Sequence, residues 1–89
     1  MSHFVLVRHK VRDFNSWKVA FDADRPKRAE AGLSETKVLR GAEDGNEVVL
    51  LLEAKDLNRA KAMVSSPALR ETMQAAGVID KPDVYLLKD

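Results

Sequence analysis

The sequence contains no cysteine. That excludes disulfides and thiolate metal sites, and it fits a reducing compartment, so the expectation is a cytoplasmic protein. Neither sign of charge dominates: 15 Lys and Arg stand against 14 Asp and Glu, for a net charge of +1. A balance of this kind gives no electrostatic footprint for nucleic acid. The most basic stretch, Arg25-Pro-Lys-Arg28, is short and flanked by Asp22, Asp24 and Glu30. No apolar run approaches the length of a membrane span, and Phe4–Val7 is too short for a signal segment. Glycine and proline are scarce, at four and three residues, so each marks a definite interruption.

What is present is the composition of a folded domain, 45% hydrophobic and 33% charged. Its 89 residues make one domain, 1–89. A core of that size is marginal, and with disulfides excluded, oligomerisation is the natural support.

Phe4–Val7 reads as a strand continuing towards Val11, apolar at odd and even positions and so buried on both faces. Asp13 is a good N-cap for a helix over about 14–31, roughly 27 Å long at 1.5 Å per residue. Phe14, Trp17 and Phe21 share one face of it, Arg28 falls at the centre of that face, Pro26 should kink it and Gly32 should stop it. A strand over 35–40, turn chemistry over 41–46 and a strand over 47–54 form a hairpin. Asp56 caps a second helix, which Ser66-Pro67 restarts and Gly77 ends. A last strand spans 83–88.

Strand, helix, strand, strand, helix, strand is the βαββαβ order of α+β, ferredoxin-like folds. Right-handed crossovers put both helices on one face of a four-stranded antiparallel sheet ordered fourth, first, third, second. The two central strands are nevertheless apolar on both faces. Leaving one face wet would expose about several hundred Å² of apolar surface, so the sequence predicts a homodimer joined through the sheet face.

Val7-Arg-His-Lys-Val-Arg-Asp-Phe-Asn-Ser-Trp-Lys-Val-Ala-Phe-Asp22, together with Asn46-Glu-Val-Val-Leu-Leu-Leu-Glu53 and Met73-Gln-Ala-Ala-Gly-Val78, resembles the dimeric α+β barrel superfamily. The chain is similar to its small members related to the antibiotic-biosynthesis monooxygenases and often labelled cyclase-like. The resemblance implies a dimeric α+β barrel. It also implies a role among cofactor-free oxygenases, isomerases or haem-handling proteins, a superfamily that includes stress and detoxification proteins. Haem-degrading members share a histidine ligand late in the chain, whereas the histidines here are His3 and His9. The expected cofactor set is therefore empty.

His9 is the first candidate for chemistry. Its ordinary pKa of about 6.5 suits proton transfer at neutral pH. As a base it would take a proton from an enol or phenol in an apolar cleft walled by Trp17 and Phe21; the alternative is a hydrogen-bonded histidine at a strand end. Trp17 and Phe21 are either cavity lining or plain core. Asp24 and Arg28, four residues apart on the buried side of the helix, are either a structural ion pair or a site in which Arg28 holds a substrate carboxylate or oxyanion. Arg40 is a second candidate for stabilising negative charge. His9, Arg40, Asn46, Glu47 and Tyr85 should gather at one end of the sheet, and Tyr85 points its hydroxyl either into the cleft or into the interface. A metal site is not expected, since His3 and His9 lie about 20 Å apart along one strand.

Two functions follow. One is a cofactor-independent oxygenase or cyclase/isomerase acting on a small aromatic or polyketide-like compound. The other is a non-catalytic dimer that binds a small ligand or supports another protein. A cavity of about a few hundred Å³ beside His9 favours the first, and a filled core the second.

Overall fold

The computed structural model describes residues 2–89. In chain order its elements are β1 His3–Lys10, α1 Phe14–Ala23, α2 Arg25–Glu30, β2 Leu33–Arg40, β3 Glu47–Ala54, α3 Leu57–Val64, α4 Pro67–Ala75 and β4 Asp83–Lys88. The strands make one antiparallel sheet in the order β2-β3-β1-β4. This is the ferredoxin-like α+β arrangement, with β1 and β3 central.

Two expected helices are four. The first breaks at Asp24, because Pro26 has no N–H to continue the ladder and its ring crowds the carbonyl four residues back. The second breaks at Ser65–Ser66, where the Ser66 hydroxyl accepts a bond from the Leu69 amide at 3.1 Å and Pro67 takes the first helical position. The other helix starts are capped as their sequences suggest. Asp13 accepts from the Ser16 amide at 3.0 Å, and Asp56 from the Asn58 amide at 3.0 Å.

Register decides which side chains meet under the helices. Val5 lies opposite Leu52, Val7 opposite Leu50 and His9 opposite Val48, and all six are buried. The five apolar ones form the core with Val11, Trp17, Phe21, Leu33, Ala54 and Ala60. A bulge in β2 between Glu35 and Lys37 adds one residue to the pairing. It lets Glu35, opposite Leu52, and Val38, opposite Leu50, both face the helices, which strict alternation forbids. Beyond β1 the chain stays tied to the segment after α4. The Arg12 amide donates to the Gly77 carbonyl at 2.8 Å, and Ile79 donates to Lys10 at 2.9 Å. Gly77 makes that reversal at φ 96°, a conformation that suits glycine.

The other face of the sheet carries no helix. Alternation puts Phe4 and Leu6 of β1, Val49 and Leu51 of β3, Leu39 of β2, and Tyr85 and Leu87 of β4 on it. Leu39, Tyr85 and Leu87 are exposed. At one border of this apolar area Arg8 reaches Asp80 at 3.2 Å, Glu47 at 3.5 Å and Asp83 at 3.6 Å. No helix among the described residues is long and apolar enough to cross a membrane.

Candidate functional site

His9 ends the inward row of β1 and is only 2% exposed. The edge of its ring meets Trp17, with centroids 5.6 Å apart and planes at 79°. Its Nδ1 is buried without a hydrogen-bond partner. A buried polar atom left unpaired is costly, and such atoms in native structures call for an explanation. Desolvation lowers the His9 pKa below the ordinary histidine value. The Val48 backbone and the charge of Asp80 oppose that shift, and Arg8 adds to it. The imidazole is therefore neutral at pH 7, the form that can accept a proton.

Trp17 belongs to a stack along α1. Phe14 lies 5.7 Å from Trp17, and Trp17 lies 4.8 Å from Phe21 with planes only 20° apart. A guanidinium caps each end: Arg40 sits 4.0 Å over the Phe14 ring and Arg28 sits 3.6 Å over the Phe21 ring. Cation–π attraction of this kind is worth roughly 0.5–2 kcal/mol, the more the better it is desolvated. The Phe14 amide also donates to the Asn46 side chain at 3.0 Å, which seats the start of α1 on the β2–β3 turn.

Arg28 is not paired with Asp24. Its Nη1 donates to the Phe21 carbonyl at 2.7 Å and its Nη2 to Glu35 at 2.5 Å. At the break the Phe21 carbonyl accepts the Asp24 amide at 3.2 Å and keeps its second lone pair for Arg28, and the Gly32 reversal brings Glu35 back beside the helix. Burial opposes the Glu35 charge, but the hydrogen bond and charge of Arg28, aided by Arg25, outweigh it and hold the carboxyl below its ordinary range. Asp24 instead lies 3.8 Å from Lys27.

Between the helices and the sheet lies an apolar cavity of about 80 Å³. His9, Trp17, Phe21 and Arg28 line it, with Met63, Leu69 and Met73 opposite. Asp24 and Thr72 are its other polar lining residues. The sequence expectations for four residues thus converge on one space. Two do not. Arg40 shares the Val48 row with His9, two strands away, but its side chain is taken by Phe14 and by the Gly45 carbonyl at 2.8 Å, and it does not line the cavity. Tyr85 pairs with Leu6 at mid-sheet on the helix-free face, so the sheet separates it from His9. Glu47 turns to that same face and meets Arg8. Glu35 joins Arg28 because the Gly32 turn brings it beside the helix in phase with buried Leu33, a tertiary relation that local sequence pattern does not carry. No cluster of three or more His, Cys, Asp or Glu suited to a metal is found among the described residues.

Solved structures share this fold over the whole chain. SnoaB, a cofactor-independent oxygenase from Streptomyces nogalater, superposes with a TM-score of 0.75 at 14% identity, over 99% of this chain and 92% of that one. The chain has the fold of the antibiotic biosynthesis monooxygenase-like proteins. A Bordetella bronchiseptica protein provisionally named an antibiotic biosynthesis monooxygenase matches with a TM-score of 0.76 at 12% identity, over 100% of this chain and 98% of that one. Rv0793 from Mycobacterium tuberculosis matches at 0.67 and 21% identity, over 100% and 95%. At these identities the monooxygenase-like likeness is one of fold. No protein-family model matches the sequence, and no curated protein matches it significantly.

The depressed His9 pKa carries a sign. In the unfolded chain the ring gains its proton as pH falls through about 6.5, while the folded protein resists until lower pH. Acid therefore favours unfolding in that window. Asp13, Asp22, Glu35 and Asp44, all held below their ordinary values, lose their contribution only at lower pH. Urea denaturation followed by Trp17 fluorescence should show stability falling from pH 7.5 to 5.5, and His9→Phe should flatten that slope. An equal slope in both proteins would contradict a buried, neutral His9.

Proposed function

We propose that the protein is a cofactor-independent enzyme, an oxygenase or a cyclase/isomerase, acting on a small aromatic or polyketide-like compound. The observation that carries this reading is the unpartnered Nδ1 of His9, buried on the wall of an apolar cavity. Nδ1 of the neutral ring would take the proton of a phenol or enol O–H, leaving an imidazolium and a phenolate or enolate. That anion either gives electrons to dioxygen or receives the proton back at carbon. Trp17 and Phe21 would wall the reacting ring. Arg28, already engaged by Glu35 and Phe21, would lend positive charge to the developing anion without leaving its partners. The likeness to SnoaB supports the reading at the level of fold.

One observation favours a second reading, a small-ligand-binding or structural dimer without catalysis. The cavity of about 80 Å³ falls short of the few hundred that a drug-sized ligand fills. Oxygen uptake with a panel of phenolic and enolic compounds separates the two. Turnover is expected, and His9→Ala should lower it about 10²–10⁴-fold while far-UV circular dichroism is unchanged. Full turnover in that variant would remove the base assignment, and no uptake with any compound would favour the second reading.

The homodimer is part of the same proposal. The helix-free face carries Phe4, Leu6, Val49 and Leu51 on its central strands, with Leu87 beside Phe4 on the edge strand. The molecule measures 33 × 26 × 20 Å, so one broad face offers about the ~800 Å² per partner of a standard interface. A second copy supplies the same apolar surface in return. Sedimentation equilibrium at micromolar concentration should give a dimer, and Leu51→Glu should give a monomer. A monomeric parent protein would contradict the pairing.

A further inference from the structure

His9 and Trp17 are almost fully covered, so a ligand of more than a few atoms must extend out of the cavity. Helix α4 forms the cover with Leu69, Thr72 and Met73, yet no residue of α4 is itself buried. A groove runs along each side of it. On the α2 side a groove of about 430 Å³ shares Asp24, Met63, Leu69 and Thr72 with the cavity. Its charges cancel: Lys27 faces Asp24, and Arg59 donates to the Glu30 carbonyl beside the Glu30 carboxylate.

The groove between α4 and β4 is different. It measures about 480 Å³ and shares Val64, Leu69, Met73 and Val84 with the cavity. Its floor is apolar, its charged residues are Arg70 and Lys81, and no carboxylate lines it. Neither cation forms an ion pair among the described residues. Val84 and Leu86, on the helix side of β4, are left exposed beside it.

We propose that the α4–β4 groove is the outer half of the ligand site, taking the anionic group of a substrate whose hydroxyl-bearing ring reaches the cavity at His9. This rests on the cavity being the reaction site, and it narrows the substrate class to anionic aromatic or enolic compounds. An apolar body lies on Leu69, Met73 and Val84, and a carboxylate meets Arg70 and Lys81, as charge complementarity requires. The flexible thioether of Met73 lets the shared wall adjust to the ring.

A matched pair of probes tests the proposal by isothermal titration calorimetry: 3-(4-hydroxyphenyl)propionate and its methyl ester. They share ring and phenol and differ in charge. The acid should bind more tightly than the ester, and its affinity should fall between 20 and 200 mM salt while that of the ester holds. Arg70→Gln combined with Lys81→Gln should weaken the acid about tenfold and leave the ester unchanged. Both residues are exposed, so the fold is expected to survive. Lys27→Gln with Arg59→Gln, in the other groove, should leave the acid unaffected. Equal affinity for acid and ester, no binding of either at millimolar concentration, or an effect confined to the Lys27 and Arg59 pair would overturn the assignment. A charge effect at Arg70 and Lys81 without proton transfer at His9 would leave the groove standing and remove the reaction.

Discussion

A guanidinium at 5% exposure has to be paired on every side, and the neighbourhood of Arg28 is built to do so. Three features supply its partners. The helix break ahead of Pro26 leaves the Phe21 carbonyl a lone pair beyond its bond from the Asp24 amide. The Gly32 reversal starts β2 with Leu33 inward, and Glu35 follows on the same face. The Phe21 ring lies flat beneath the cation. With these in place α1 and α2 are pinned to β2 and to each other. Removing Arg28 would leave Glu35 with only the exposed Arg25 at 3.3 Å and the Phe21 carbonyl with only the Asp24 amide at 3.2 Å.

The consequence for the site is that its wall is buried and stacked where α1 and α2 form it and half-covered where α4 forms it. The stack from Arg40 to Arg28 fixes Trp17, and Trp17 fixes the plane of His9. Opposite them Met63, Leu69 and Met73 come from helices that are broken at Ser65–Ser66. In the proposed reading, a fixed imidazole facing a less buried cover suits a small reacting group, since proton transfer tolerates little misplacement and ligand entry needs movement.

Much of this was legible in the sequence, for local reasons. Five apolar residues between Glu47 and Glu53 define β3, and Asp13 and Ser66-Pro67 carry their capping chemistry with them. The spacing of Phe14, Trp17 and Phe21 places all three on one helical face, and strand order follows from crossover handedness. The same patterns set His9 beside Trp17 and Phe21 and put Arg28 on the helix face of those two rings. What escaped was tertiary. Asp24 was the nearer carboxylate to Arg28 in sequence, but the break turns it towards Lys27 and into the α2 groove. Tyr85 sits in a strand apolar on both faces, so alternation alone could not choose its side. Arg40 lies in the right row yet is consumed by Phe14 and Gly45. The volume of the cavity depends on how Met63 and Met73 fill space, which no pattern encodes.

The most direct test of this account is the state of the His9 ring itself. With His3 replaced by glutamine, ¹⁵N NMR of the labelled imidazole reports both its tautomer and its titration. The account predicts a titration midpoint below the ordinary value of about 6.5 and an Nδ1 free of any hydrogen-bond partner at neutral pH. A midpoint at or above that value, or an Nδ1 locked in a hydrogen bond, would show a structural histidine and contradict the reading of the cavity as a proton-transfer site.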